Sequence, residues 1–519
     1  MSAYSYHFQS SYGKASQISM KINFIITVLL FLFGKNVLAN ELPDLGEASQ
    51  ADISPYEERQ IGLEIMSQIR SDSRYLDDAE IAGYLTNLGY KLISASDEAH
   101  PDQEFEFFAV RDPSLNAFAL PGGFMGFNSG LILAAQSESE LAGVMAHEIS
   151  HVTQKHLARM ISGQKYGMLT TLASIALAIM ASRANPQAGT AVMATSEAIL
   201  AQSQLNFTRA NEKEADRIGL AVLMRAGFDP AGMASFFGRL QRASRFQGDI
   251  PSYLRTHPLS YERIADIENR IQGLPYKQVA DSIEFQLVRA KLRAAEGKPL
   301  EAVKYFESNL KERRYSNETV ERYGLISALL REGNNLRANE ELKLLYESGH
   351  YDTMVKLQEN HLLGNEIQIK KKILYSSAMI ETLAARVKFS VGLYSEGLHI
   401  YREALKIYPQ HRALIYDYAA ALLYDGNQKD ALRFINRQLR FTPNDIRLYQ
   451  LQAKAYEADG NSMLLHRALA ESYIRQGDLP RAINQLEIAL KSEDGDFYEI
   501  SSAEARLKEL RHQLSLSEE

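Results

Sequence analysis

The sequence predicts a mainly α-helical chain with a small β-sheet in its N-terminal half, followed by an α-solenoid. Apolar residues recur at helical spacing over most of its length. Clear alternation is confined to the stretch from Phe105 to Phe127, and past Pro275 a glycine and a small residue recur in register. The 519 residues amount to about three domains of roughly 150 residues each. A hydrophobic content of 45% and a charged content of 23% belong to globular chains and exclude a disordered one. Three parts are expected: an export segment over 1–39, a mixed domain over 40–275 and a helical solenoid over 281–519.

The first part reads as an export signal. From Met20 the chain runs through Lys21 and the apolar stretch Phe24 to Phe33, then to Val37-Leu38-Ala39, small residues at the positions a signal peptidase reads. Ten apolar residues are too few for a membrane span, which needs about 20. Met20 is the expected start, since the 19 residues before it are polar. Cleavage after Ala39 leaves a mature chain with no transmembrane span, placed in the periplasm if the source has two membranes.

In the second part, Ser54-Pro55 with Glu57 supplies an N-cap, a proline at the first helical position and a capping-box acid, and Ile61, Ile65 and Ile69 follow on one face. A second periodic stretch runs from Ile81 to Ile93. Phe105, Phe107 and Ala109 alternate, which reads as a strand with one buried face. Asn116 to Phe127, with Gly122-Gly123 inside, predicts a strand, a tight turn and a second strand. Ser137 with Glu140 reads as a capping box opening the next helix. The apolar run Met168 to Ala181 is too short to cross a bilayer and reads as a core helix or a lid.

The third part carries the pairs Gly297/Ala302, Gly333/Ala338, Gly392/Gly397, Gly426/Ala431 and Gly477/Ala482. Pro409 and Pro443 stand 34 positions apart. A period near 34, with small residues where two helices cross and a proline ending the second, resembles the tetratricopeptide repeat, here degenerate because no repeat is complete. Residues 340–384 fit the pattern poorly, and 431 to 482 is one and a half periods. Stacked helix pairs of this kind offer a concave surface to extended segments or a partner protein.

Charge and cysteine content narrow the chemistry. A net charge of −7 gives no basic face for nucleic acid. The absence of cysteine excludes disulfides, iron–sulfur clusters, thiolate zinc sites and a cysteine nucleophile. Any metal must therefore be held by His, Asp or Glu.

His147-Glu148-Ile149-Ser150-His151 is an H-E-x-x-H sequence, and Leu141, Val144, Met145 and Val152 place it on a helix with an apolar face. At about 100° per residue the two imidazoles diverge by only about 40°, with Glu148 beside them. His156 falls about 180° away and is expected to be a bystander. A hydrolytic zinc site needs a third protein ligand and leaves one position to water. On a second helix, Glu212 and Asp216 are one turn apart on the same face, so one can bind metal while the other orients a ligand histidine. Glu214 points about 160° away, and would be the ligand only if that register were wrong.

The runs Asn116-Ala117-Phe118-Ala119-Leu120-Pro121-Gly122-Gly123, Met145 to His151, Glu212 to Asp216 with Arg217-Ile218-Gly219, and Thr256-His257-Pro258 occur in order. Together they resemble the HtpX-like and Ste-type gluzincin metallopeptidases. The resemblance implies an α+β zincin-like domain in which His147, His151 and Glu212 bind one Zn2+ per chain, Glu148 is the catalytic acid/base and Asp216 supports a ligand. It also places the Met168 to Ala181 segment as a flap over the cleft. For a member with an export signal and a repeat tail it implies unfolded or misfolded outer-membrane β-barrel proteins and their assembly machinery as partners. His257 has two readings, a stabiliser of the developing oxyanion or a resting occupant of the fourth metal position. The strand Asn116, Ala117, Phe118, Ala119, Leu120 offers an edge to which an extended peptide could add, although core packing accounts for Phe118 and Leu120 equally well. The expected function is zinc endopeptidase; the alternative is a repeat scaffold or chaperone with a latent site.

Overall fold

The computed structural model describes residues 54–100, 103–157, 209–246, 252–274, 278–347 and 377–518. The export segment and the run from Met168 to Ala181 lie outside them. Ser54 caps helix α1 (Pro55–Ser71) reciprocally: its hydroxyl accepts from the Glu57 N–H at 3.2 Å, and the Glu57 carboxylate accepts from the Ser54 N–H at 2.9 Å. Ile65, Met66 and Ile69 of α1 are buried against Phe108, Val110, Leu120 and Phe124 of the sheet. Gly62 marks the closest approach, since a Cβ there would lie 2.2 Å from the Pro121 carbonyl oxygen.

The sheet has the order β1-β3-β2, with β1 (Glu106–Val110), β2 (Ala117–Leu120) and β3 (Phe124–Asn128). β1 runs parallel to β3 with Phe107 opposite Met125, and β2 runs antiparallel to it with Ala117 opposite Phe127. Gly122 and Gly123, at φ 74° and 80°, turn the chain between β2 and β3, a conformation open to glycine at no steric cost. The expectation of one buried face on β1 is corrected. Phe108 and Val110 pack under α1 while Phe107 and Ala109 face the main core, so both faces are covered. Alternation of Phe105, Phe107 and Ala109 exposed one half of the pattern; the other half is equally apolar and meets a helix that arrives from earlier in the chain.

Behind the sheet lie α2 (Ala79–Ile93), α3 (Ser129–Ala134) and α4 (Glu138–Thr153). Every residue of α4 except Val152 is buried, so this helix is the axis of the domain rather than an amphipathic surface element. Ser137 accepts from the Glu140 N–H, but the Glu140 carboxylate does not return to cap Ser137. It accepts from the Gln136 N–H and pairs with Arg239. Helix α5 (Arg209–Arg225) crosses α4 at Gly219, where a Cβ would stand 3.1 Å from the Ala146 carbonyl and the His147 nitrogen. α6 (Ala231–Phe246), α7 (Ser252–Thr256) and α8 (Tyr261–Ile271) complete the domain.

The solenoid begins with α9 (Ile283–Ala295), α10 (Pro299–Glu312), α11 (Glu318–Glu332) and α12 (Asn335–Glu347). It continues with α13 (Ala378–Ser390), α14 (Tyr394–Ile407), α15 (Arg412–Tyr424), α16 (Gln428–Phe441), α17 (Ile446–Asp459), α18 (Ser462–Arg475), α19 (Leu479–Ala489) and α20 (Phe497–Glu518). Gly297, Gly333, Gly392, Gly426, Gly460 and Gly477 all have positive φ in the turns between helices. Ala302, Ala338, Ala431 and Ala482 are buried where the following helix crosses its neighbour. The odd interval from 431 to 482 has a structural cause. Gly460 makes a further turn 34 residues after Gly426, with Leu465 in place of the small residue, and Gly477 turns the chain again only 17 residues later. The solenoid meets the first domain at Glu80 of α2, which is buried and paired with Lys291 of α9, with Arg386 of α13 at 3.7 Å. Among the described residues no helix is long and apolar enough to cross a membrane.

Candidate metal centre

α4 brings His147 and His151 together through its own geometry, with their Nε2 atoms 3.0 Å apart. α5 supplies Glu212, whose carboxylate oxygens lie 3.5 Å from His147 Nε2 and 3.3 Å from His151 Nε2. Two donors held about 2.0–2.1 Å from one tetrahedral ion stand about 3.3–3.4 Å apart, close to the 3.0, 3.3 and 3.5 Å found here. His257, just after α7, adds a fourth donor residue and third imidazole, with Nδ1 3.0 Å from Glu212. One donor atom from each of the four residues falls within 4.8 Å of the others, and all four residues are buried. Buried polar atoms crowded in this way, two imidazole nitrogens face to face among them, suit a shared cation.

Glu148 sits one residue along α4 from His147 and is fully buried. Neither of its oxygens has a hydrogen bond among the described residues, and His257 Nε2 is 3.5 Å from one of them. A buried carboxylate left in this state is costly unless something else, such as a water or substrate, takes up its lone pairs. Asp216 faces the far side of His147, with Oδ1 3.0 Å from Nδ1.

Two features of the centre carry no signal in the sequence. Arg263, in the first turn of α8 and 3% exposed, donates from Nε and Nη2 to both Asp216 oxygens at 2.7 Å. Its Nη1 lies 2.5 Å from Glu212 Oε2 and donates to the Pro258 carbonyl at 2.9 Å. An arginine on an otherwise charged helix, Tyr261-Glu262-Arg263, gives no local sign of burial. Tyr253 is the second: its ring stacks on His257 with centroids 4.6 Å apart and planes 24° apart.

The expectation that His156 is a bystander is corrected. α4 stops at Thr153, Lys155 takes a left-handed φ of 51°, and the chain turns back so that His156 Nδ1 lies 2.9 Å from His151 Nδ1. The rotation of about 100° per residue does not apply past the end of a helix. Glu214 points away from the cluster as expected, and its carboxylate meets His156 Nε2 at 3.1 Å.

The charges follow from these contacts. Burial opposes protonation of His147, yet Asp216 and Glu212 outweigh it and raise the pKa to about 9. Burial, with His147 and His257 alongside, holds His151 well below the usual imidazole range. Glu212 is held well below the carboxylate range: burial pushes upward, but His257, His147 and His151 prevail. Asp216 is likewise lowered against burial, by Arg263 and His147. The centre thus keeps two ionised carboxylates in an apolar interior, compensated by one arginine and by histidines.

A helix-borne His–His pair, an acid from a second helix and an unengaged glutamate beside them define a metallopeptidase centre. Residues 81–271 match peptidase family M48 and residues 389–455 match the tetratricopeptide repeat, so the chain carries an M48 metallopeptidase domain followed by tetratricopeptide repeats. It is 29% identical to the beta-barrel assembly-enhancing protease of Escherichia coli K12, over 91% of this chain and 92% of that one. A Vibrio cholerae relative is 42% identical over 49% of this chain, an alignment that spans about half (52%) of the relative's length. The mitochondrial metalloendopeptidase OMA1 of Schizosaccharomyces pombe is 31% identical over 38% of this chain and 54% of its own.

Proposed function

We propose that the chain is a zinc-dependent endopeptidase of the periplasm that cuts misfolded or stalled outer-membrane β-barrel proteins and assists their assembly. Residues 40–275 would form the peptidase domain, and the repeats of 281–519 would engage the substrate or the assembly machinery. The observation that carries this reading is the convergence of His147, His151 and Glu212 at the spacing of zinc donors, with the unengaged Glu148 beside them. The names of the E. coli and V. cholerae relatives support the substrate class.

In this reading His147 and His151 hold the metal through Nε2 and Glu212 through its carboxylate. Zinc, when bound, supplies Lewis acidity and lowers the pKa of its water to about 7. Glu148 takes the proton of the attacking water and returns it to the departing amine, for which a carboxylate with neither oxygen in a hydrogen bond is suited. Asp216 orients His147 from behind, and Arg263 keeps Asp216 ionised. His257, drawn into the donor group and stacked on Tyr253, would either add a fourth ligand at rest or stabilise the developing oxyanion.

Strand β2 pairs only with β3 among the described strands. The Asn128 N–H donates to the Asn116 carbonyl at 3.0 Å, which sets the alternation so that Ala117 and Ala119 turn their backbone groups to the sheet edge. Phe118 packs against Phe108, with ring centroids 5.9 Å apart, and so belongs to the core. Ala117 is fully buried, so recognition through the main chain falls to the part-exposed Ala119, a mode that suits unfolded substrates of varied sequence.

Incubation of the zinc-loaded protein with a urea-unfolded outer-membrane porin should give fragments that a chelator prevents, while the folded barrel persists. Capture of the porin without cleavage would instead favour a scaffold role. Glu212→Ala should strip the bound zinc and Glu214→Ala should retain one equivalent at saturating zinc, as read by elemental analysis. The opposite pattern would exchange their roles.

A further inference from the structure

The two histidines of the centre are supported from behind in different ways. His147 Nδ1 meets a buried carboxylate, Asp216. His151 Nδ1 meets the Nδ1 of another imidazole, His156, at 2.9 Å, and His156 Nε2 in turn meets Glu214 Oε2 at 3.1 Å. His156 is fully buried, whereas Glu214 is 36% exposed.

The chemistry of these contacts assigns the protons. With Nε2 of His151 turned to the donor group, its ring hydrogen belongs on Nδ1 and donates to His156. His156 then accepts at Nδ1, so its own hydrogen sits on Nε2 and donates to Glu214. The three groups close without an unmatched donor. The arrangement carries a conformational cost in the backbone: Lys155 is one of two non-glycine residues with positive φ among the described residues, and it is the residue that turns His156 back. A lysine in that region is strained and persists where surrounding contacts hold it.

We propose that His156 is a positioning residue that fixes the tautomer and orientation of His151 for metal binding, with Glu214 as its outer anchor. This rests on the reading of His151 as a metal ligand. The relay ends at a half-exposed carboxylate, so this side of the centre is tied to the surface of α5, while the His147 side is tied to the buried Arg263.

The test uses the full chain and zinc, with the dissociation constant measured by competition against a chromophoric chelator and the Co2+ absorption spectrum as a second readout. His156→Leu removes the acceptor while keeping the bulk and should weaken zinc binding about 10- to 100-fold, with an altered Co2+ band. His156→Asn places an amide oxygen near the lost Nδ1 and should restore most of the affinity and the spectrum. Glu214→Leu should weaken binding several-fold. A wild-type constant in His156→Leu overturns the proposal, as does equal weakening in the Leu and Asn variants. Should His156→Leu fail to fold, Glu214→Leu decides, and an unchanged constant there overturns the relay. His151→Ala separates the two levels: wild-type zinc binding in that variant removes His151 as a ligand and the underlying reading with it.

Discussion

Glu148→Gln is expected to keep zinc and fold but to lose about 10²- to 10⁴-fold in the rate of peptide cleavage, the range over which general acid–base groups act. Glutamine preserves the volume and the hydrogen-bonding reach of a side chain that is fully buried on α4. It cannot take a proton from water at neutral pH or hand one to a departing amine. The ligand set His147, His151 and Glu212 is untouched, so metal content separates the two effects. Elemental analysis alongside the rate of fragment formation from an unfolded porin makes the comparison. Cleavage near the wild-type rate would remove Glu148 as the base. Because the variant should still bind substrate, isolating it with its bound proteins and identifying them by mass spectrometry would also define the natural substrates.

Arg263→Leu is expected to have the largest effect on stability. The guanidinium is 3% exposed, grips both oxygens of Asp216 at 2.7 Å and lies 2.5 Å from Glu212. Its removal leaves two buried carboxylates short of a cation. Breaking a buried pair by deleting one partner costs about 3–5 kcal/mol, a large part of the roughly 5–15 kcal/mol that holds a typical domain together. The pH dependence follows in sign. Asp216 is lowered by Arg263 and His147 against burial, so its contribution is complete above the ordinary aspartate range and is lost as pH falls through the folded-state value. Without Arg263 that value rises, and acid unfolding should begin at higher pH than in the wild type. Urea denaturation across pH 4–8 reads both effects. A variant within about 1 kcal/mol of the wild type would show that the arginine is not the compensating charge.

Much of the centre is legible in the chain's local spacing. A four-residue interval inside a helix brings His147 and His151 to one face whatever surrounds them. The same reasoning puts Glu212 and Asp216 on one face of α5 and sends Glu214 elsewhere, which is where the structure finds them. It fails at His156, since the helix ends at Thr153 and the left-handed Lys155 reverses the chain. It is silent on Arg263 because a buried arginine and a solvated one look alike in sequence.

The repeats show the same division. Glycine turns about 34 residues apart disclose the helix pairs, since a left-handed turn favours glycine locally. The irregular end of the solenoid is opaque, because Leu465 replaces the expected small residue after Gly460 and only packing shows that a turn lies there.

The sequence by itself determined the helices around Ile61, Ile81, His147 and Glu212, the hairpin of the small sheet and the paired donors, since each is set by periodicity, caps or turns within a few residues. Tertiary structure alone decided how closely α4 and α5 approach at Gly219, which arginine neutralises the carboxylates and what stands behind His151. Those contacts join residues about 50 or more positions apart, or pass around a helix end. No local rule of propensity or spacing reaches that far, whereas burial in a common core does.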